Sequence, residues 1–290
     1  SNKSNFKRDN VKLRLGIDVN ERLKTTLNLN YFANERKTIN ESGLGSVLFN
    51  ALSYSPLYAL DQEDLNGAFG NEIINPFSQI RDTYNSYFGS SIEGNFQIEY
   101  KVLDGLTATT RMGFKSYSDK AKNFSPIVEY GAGKVFNTTR STVNQSKEQF
   151  NSYTWDSFLN YKKTFLNDHN AEITLGMAVT KDWGDGLFAT GYDVPNNSWA
   201  FADIALTTGT NDAKENGSYT YDNRLLSYFA RLQYDFKGKY LISAMLRRDA
   251  SSAFAQDYRV DYFKSATAGW KVSEESFMEN VNFINFLKLR

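Results

Sequence analysis

Apolar and polar residues alternate strictly over three successive segments in the last third of the chain. In the first segment Leu226, Tyr228 and Leu232 lie on one face, and Arg231 lies on the other. This period of two predicts strands with one wet face. Each segment runs to about ten residues, whereas strands of globular proteins have about five or six and membrane-crossing strands about nine to eleven. The segments are Arg224–Phe236, Tyr240–Arg248 and Tyr262–Val272.

The same alternation predicts three hairpins earlier in the chain. In the first, Leu13 and Leu15 share one face while Arg14 lies on the other. Near the end of the sequence Phe286–Arg290 is expected to begin one more strand, after about nine complete ones. The hairpins pair Val11–Val19 with Leu23–Tyr31, Ile92–Tyr100 with Leu106–Phe114, and Asn151–Lys163 with Ala171–Lys181.

The connections between these strands are mostly short and long in turn. Short turns on one side and long loops on the other are typical of outer-membrane β-barrels, whose turns are periplasmic and whose loops are extracellular. Ser46–Tyr54 is expected to hold a short helix inside the first long loop. Ser273–Asn285 departs from the pattern because it is longer than a periplasmic turn. The expected loops are Asn34–Tyr87, Ser118–Glu148, Asp182–Asp222 and Asp249–Arg259.

Strand length and aromatic positions support the barrel hypothesis. At about 3.3 Å per residue and a tilt of about 40°, the stretch from Leu226 to Phe236 spans roughly 25 Å, the height of a barrel's apolar band. Aromatic residues cluster at both ends of the strands, as they do at membrane interfaces. A large soluble β-sandwich or β-solenoid with one buried face is the alternative. The two groups are Tyr100, Tyr161, Tyr234, Phe236, Tyr240 and Trp270 near the turns, and Tyr31, Tyr153, Trp155, Tyr228 and Tyr262 near the loops.

Composition narrows the function classes. The 290 residues include 33 Lys and Arg against 33 Asp and Glu, and this zero net charge argues against a nucleic-acid partner. No Cys is present, which excludes a disulfide scaffold. A mean hydropathy of −0.52 is compatible with a membrane barrel, because half of each strand faces a polar lumen. No signal peptide is visible at Ser1–Asn10, so the chain is expected to be processed or to be a fragment.

The last third also carries a dense run of short motifs, namely Arg224–Leu232, Lys239–Leu241, Arg247–Ser252, Tyr262–Glu275, Phe277–Met278 and Leu287–Arg290. This run resembles the barrel of SusC/RagA-type TonB-dependent transporters of Bacteroidetes. It covers about the last 70 residues, and the earlier hairpins match that barrel in rhythm rather than in residues. That family commonly has Gly where this chain has Ala250 and Pro where it has Lys264.

The resemblance implies an all-β fold that is part of an antiparallel transmembrane barrel of about 22 strands with a plugged lumen. Residues 1–290 would form a partial barrel domain of about nine strands, without the plug domain or the closing strand. The whole protein would import an oligosaccharide or peptide across the bacterial outer membrane. Its expected partners are a SusD-like surface lipoprotein, TonB and outer-membrane lipid. A passive porin or adhesin barrel and a soluble β-rich glycan-binding protein are the alternatives.

The residues themselves offer little for catalysis or cofactor binding. His169 is the only histidine and no Cys is present, so a transition-metal site is not expected. Asp61–Gly67 only faintly matches a calcium loop, because Leu65 occupies a ligand position. Gly131–Lys134 lacks the Ser or Thr of a phosphate loop. No enzyme activity, catalytic residue, cofactor or metal is therefore expected.

Aromatic residues in the loops are the candidate ligand-binding residues. Tyr192, Trp199 and Phe201 in the loop expected at Asp182–Asp222, and Tyr54, Tyr58 and Phe69 in the loop expected at Asn34–Tyr87, are suited to stack on sugar rings or to pack against a partner. The alternative, which we favour, is that they pin the long loops onto the barrel rim, since long ordered loops need small cores of their own. On the lumen side, Arg14, Arg111, Arg231 and Arg247 are expected to line the path or to pair with Asp18, Glu99, Asp235 or the plug.

Overall fold

A computed structural model describes residues 3–59, 70, 72–210, 214–279, 281 and 283–290. In these ranges the chain forms one antiparallel sheet of ten strands whose spatial order is the sequence order. Each strand therefore pairs with its neighbours in the chain, as in an up-and-down barrel wall. The strands are β1 (Asn5–Asp18), β2 (Leu23–Lys37), β3 (Tyr84–Leu103), β4 (Leu106–Ser125), β5 (Thr142–Phe165), β6 (His169–Tyr192), β7 (Glu215–Phe236), β8 (Tyr240–Ser251), β9 (Val260–Lys271) and β10 (Lys288–Leu289).

The predicted pairing is confirmed, including the short final strand. Several predicted loops are wrong because they are too long: their first and last residues belong to strands. β4 to β7 have 20 to 24 residues each, so nearly half of the loops expected at Ser118–Glu148 and Asp182–Asp222 is strand. The loop expected at Asn34–Tyr87 likewise loses residues to β2 and β3. These strand ends carry polar side chains on both faces. Without an apolar face they show no alternation, although the backbone ladder continues through them.

Tight turns join the strands at one end of the sheet. The β5–β6 turn holds Leu166 and Asn167 at φ values of 50° and 61°, and His169 already belongs to β6 rather than to the turn. The β3–β4 turn has Gly105 at φ 81°, and a Cβ there would lie 2.3 Å from the carbonyl oxygen of Lys162. Only glycine permits that conformation and that approach together.

Short helices lie in the connections at the other end. The predicted helix is confirmed as α1 (Val47–Ser53), where the Ser46 hydroxyl accepts a hydrogen bond from the Phe49 N–H at 3.1 Å. A second helix, α2 (Pro76–Arg81), begins after Asn75, whose side chain caps the Phe77 N–H at 2.9 Å. Within the described ranges, no helix is both long enough and apolar enough to cross a membrane.

The large apolar side chains are mostly outside rather than in a core. Leu232 is 45% exposed and Ile242 53% exposed, and both belong to the apolar face that the sequence predicts. The one buried apolar cluster in the described ranges lies among the connections at the end of the long strands and contains Phe124, Val143 and Val194. An apolar face this wide requires an apolar covering outside the sheet.

We expect Leu232→Arg in the full-length barrel to lower its unfolding free energy in lipid vesicles by about 2–4 kcal/mol, because the charge would enter hydrocarbon on the outer face. Gln233→Arg is the matched control, since residue 233 points to the other face. Denaturant titration of both variants measures the difference. Equal stability of the two variants would contradict the assignment of the faces.

Candidate functional site

The sheet has one apolar and one polar face, and the strand register defines both. In antiparallel pairs, directly opposed residues point to the same side. One row across the sheet therefore joins Phe96, Met112, Trp155, Val179 and Leu226, and this is the outer face. The adjacent inner row is made of Gln97, Arg111, Asp156, Ala178 and Ser227. Such a wall presents hydrocarbon to lipid and hydrogen-bonding groups to the lumen.

Two lumen arginines form ion pairs. The Arg111 Nε atom donates to both carboxylate oxygens of Asp156, each at 3.1 Å, and its Nη2 atom makes a further short contact with the same carboxylate. The Arg247 Nε atom donates to Asp249 at 2.7 Å, while its Nη2 atom donates to the buried hydroxyl of Ser227 at 3.0 Å. Paired charges of this kind make the inner surface polar without a strong local field.

The predicted partners of these arginines are wrong in two cases. Asp18 forms an ion pair with Lys24, at 3.7 Å. Asp235 accepts hydrogen bonds from the Asn170 amide at 3.1 Å and from the Gly238 N–H at 2.8 Å. These carboxylates lie near tight turns, where local partners are closer than a distant arginine. Sequence analysis missed the acids that pair with Arg111 and Arg247. Only the cross-strand register shows that Asp156 opposes Arg111, whereas Asp249 lies two residues from Arg247 on the same face of β8.

Trp199 lies against the outer wall at the top of β3, β4 and β5. Its ring stacks on Tyr84 at a centroid distance of 5.7 Å and lies 6.5 Å from the ring of Phe124. The Lys122 ammonium sits 4.5 Å from its ring centroid. Tyr84 and Phe124 continue the outer-face rows, so this part of the loop folds back over the outside of the wall. These contacts fit the predicted pinning role.

The other candidate aromatics lie elsewhere. Tyr192 is the last residue of β6, and the Arg140 guanidinium carbon lies 4.4 Å from its ring centroid. Arg140 also pairs with Asp193 at 2.9 Å. By register, Tyr192 is on the lumen face, opposite to Trp199. Phe201 is 42% exposed. The structure therefore does not gather these three aromatics into one binding surface.

Two candidates in the first loop are close to each other. The rings of Tyr54 and Tyr58 are 6.3 Å apart, and the Tyr54 hydroxyl donates to the Ala59 carbonyl at 3.4 Å. Phe69 and the acidic stretch Asp61–Gly67 lie outside the described residues. Lys134, at the end of the glycine-rich stretch, is 4% exposed and donates to the Ile73 carbonyl at 2.8 Å, so it joins two loops.

A chain of aromatic rings marks the short-turn end of the outer face. Phe236 stacks near Tyr240 at 6.2 Å, and Tyr240 lies 6.5 Å from Trp270. His169 extends this chain, with its ring 4.7 Å from Phe236 and its Nδ1 atom 2.6 Å from the Tyr234 hydroxyl. Aromatic rings with polar tips favour the membrane interface. The part of the chain that the structure describes contains no group of three or more His, Asp or Glu suited to hold a metal ion.

Glu275 anchors the connection after β9 to this aromatic belt. Its Oε1 atom accepts hydrogen bonds from the Tyr240 hydroxyl at 2.6 Å and from the Trp270 indole N–H at 2.9 Å. The Lys239 ammonium lies 3.3 Å from its Oε2 atom. These donors, Tyr240 foremost, hold the pKa of Glu275 below its ordinary value. At the opposite end, the Ala205 N–H lowers the pKa of the Asp203 carboxyl in the same way.

Comparison with known proteins agrees with this wall geometry. A TonB-dependent receptor of Formosa agariphila, P39, is 32% identical over 301 residues, which cover 99% of this chain and 27% of that receptor. The TonB-dependent receptor SusC of Bacteroides thetaiotaomicron is 43% identical over 88 residues, or 30% of this chain and 9% of that receptor. No family model matches.

Solved structures show the same fold. The RagAB peptide transporter superposes on 96% of this chain and 31% of its own with a TM-score of 0.78, at 19% identity. The same transporter in its open-open state superposes with a TM-score of 0.79. The fold and its two faces define a transmembrane β-barrel wall of the bacterial outer membrane. The chain is part of the barrel of a SusC/RagA-type TonB-dependent receptor, and it spans between 27% and 29% of the length of the curated relatives that it matches over nearly its whole length.

We expect Trp199→Ala to release the loop between β6 and β7 in the full-length receptor. Losing the contacts with Tyr84 and Phe124 removes about 2 kcal/mol of packing. Limited proteolysis on intact cells should then cut the loop about tenfold faster or more, whereas the control Phe201→Ala, at an exposed ring, should not change the rate. Unchanged proteolysis of Trp199→Ala would contradict the pinning role.

We expect acidification to loosen the connection after β9. Because the folded-state pKa of Glu275 is lowered, its carboxylate stabilises the fold above the ordinary pKa of 4.5, and this stabilisation is lost as the pH falls through the lowered value. Trp270 fluorescence, obtained by difference from Trp270→Phe, should report the change. Glu275→Gln should remove this pH response, and a response of the same size in that variant would contradict the assignment.

Proposed function

We propose that the whole protein imports a solute too large for free diffusion across the outer membrane, using energy delivered by TonB. The observation that carries the proposal is the wall itself, which is apolar outside and lined inside by paired charges such as Arg111 with Asp156. This is the surface that a polar solute needs to cross an apolar layer. Membership of the TonB-dependent receptor family supports energy-dependent uptake over passive flow.

The proposed partners follow from the same relationship. A SusD-like surface lipoprotein would cap the extracellular side, and TonB would act on a plug domain. The cargo would be an oligosaccharide or a peptide. One structural neighbour, RagAB, is a peptide transporter, and its likeness to this chain is a likeness of fold. The relatives are named receptors and transporters rather than enzymes, and we propose that no covalent chemistry occurs in this barrel.

A passive porin or adhesin is the second candidate, and energy dependence separates it from the first. Fluorescently labelled oligosaccharides and peptides would be offered to native cells, to cells without this gene and to cells without TonB. We expect the uptake of at least one labelled solute to be lost in both deletion strains, because the receptor and its energy source are both required. Uptake that needs the gene but survives without TonB would establish the passive barrel instead.

A further inference from the structure

An acidic pair lies on the lumen face of the long strands. Asp119 on β4 and Glu148 on β5 are directly opposed in the register, on the inner face. Asp119 is five residues beyond the outer-face Phe114, which places the pair roughly 13 Å above that residue if the strands tilt by about 40°. The two carboxylates thus lie in the upper part of the wall, beyond the apolar band.

No ion pair on the described wall neutralises these two acids. Like charges directly opposed on a sheet destabilise it. Within the described ranges, neither carboxylate forms an ion pair with a lysine or arginine, and Glu148 accepts a hydrogen bond from the Tyr219 hydroxyl at 3.0 Å. Lys120 and Lys147 adjoin them in sequence but point to the outer face. Within the described ranges, Arg36 lies on the same face and interacts with Tyr117 but pairs with neither acid, so both carboxylates can accept a further cation.

Aromatic rings surround the pair on the same face. Phe150 and Tyr221 are stacked at a centroid distance of 6.3 Å in the row next to the carboxylates, and that row also contains Tyr117. Tyr219 lies in the carboxylates' own row and is 46% exposed. Together these rings occupy the row of the two carboxylates and the row next to it on the inner face.

Two glycines of β6 make room for these rings. A Cβ at Gly186 would lie 2.3 Å from the Cε1 atom of Tyr219, and a Cβ at Gly184 would lie 2.7 Å from the Tyr221 hydroxyl oxygen. Both tyrosines therefore lie close over the β6 backbone. A larger residue at position 186 would displace the Tyr219 ring, and one at position 184 would meet the Gln149 carbonyl oxygen as well as Tyr221. The sequence thus places aromatic rings beside Glu148.

We infer that this surface, formed by Asp119, Glu148, Tyr117, Phe150, Tyr219 and Tyr221, binds an ammonium or guanidinium group of the imported solute. Carboxylates and aromatic faces both attract cations, and their effects add at one position. A neutral sugar would accept stacking and hydrogen bonds but would leave the paired charges uncompensated. The inference rests on the proposed function and narrows its cargo to a cationic peptide.

The first test uses the purified full-length receptor in detergent and two probes, amidated tetralysine and the same peptide with acetylated side chains. We expect tetralysine to bind about tenfold more tightly, because acetylation removes the charge that the surface recognises. The double variant Asp119→Asn with Glu148→Gln should weaken tetralysine binding about tenfold and leave the acetylated peptide unaffected. Asp185→Asn is the matched control, since Asp185 lies at the same level on the outer face.

Equal binding of the two probes, or unchanged binding of tetralysine by the double variant, would overturn the inference. The thermal stability of the receptor supplies a second readout. Neutralising an opposed acidic pair should leave the melting temperature unchanged or raise it. A clear fall would mean that the carboxylates hold another part of the receptor, and it would also overturn the inference.

The two proposals fail separately. TonB-dependent uptake that the double variant does not change would reject the cationic site and keep the import function. Charge-dependent binding of tetralysine in a receptor whose uptake ignores TonB would keep the site and reject energised import.

Discussion

Hydrocarbon contains no hydrogen-bond partner for a peptide group, and this constraint shapes the whole wall. A continuous antiparallel ladder satisfies the N–H and C=O groups of each strand through its two neighbours. Sequence-ordered pairing from β1 to β10 provides such a ladder, with short turns after β1, β3, β5 and β7. Side-chain identity is then free to differ on the two sides, apolar toward lipid and polar toward the lumen.

The alternation of residues therefore predicts much of this fold. The strands around Leu226, Ile242 and Met112 have one lipid face each, and for these the sequence predicts both position and direction correctly. It does not predict where β3 to β7 end, because side chains such as those of Gln149 and Glu148 are polar on either side of the ladder above the membrane. In that region only backbone pairing defines the strand. Backbone pairing depends little on side-chain identity, so the sequence gives almost no sign of it.

The sequence likewise reveals some of the functional residues and not others. The arginines of the lumen are visible as polar positions within alternating strands, but the partner of Arg111 is not, because Arg111 and Asp156 are 45 residues apart in the chain. Trp199 is recognisable as a loop aromatic, yet its position on the outer wall depends on how the loop folds back. The acidic pair Asp119 and Glu148 lies in stretches that the sequence assigns to loops, so its register was not accessible before the strands were located.

The unequal length of the strands has a consequence for the shape of the entrance. With 24 residues each, β5 and β6 rise roughly 60 Å at a tilt of about 40°, whereas the 12 residues of β8 and of β9 rise roughly 30 Å. This portion of the rim is consequently slanted. It is high at β5 and β6 and low at β8 and β9. A solute that reaches the barrel over β8 and β9 therefore meets a wall about 30 Å lower than one that reaches it over β5 and β6.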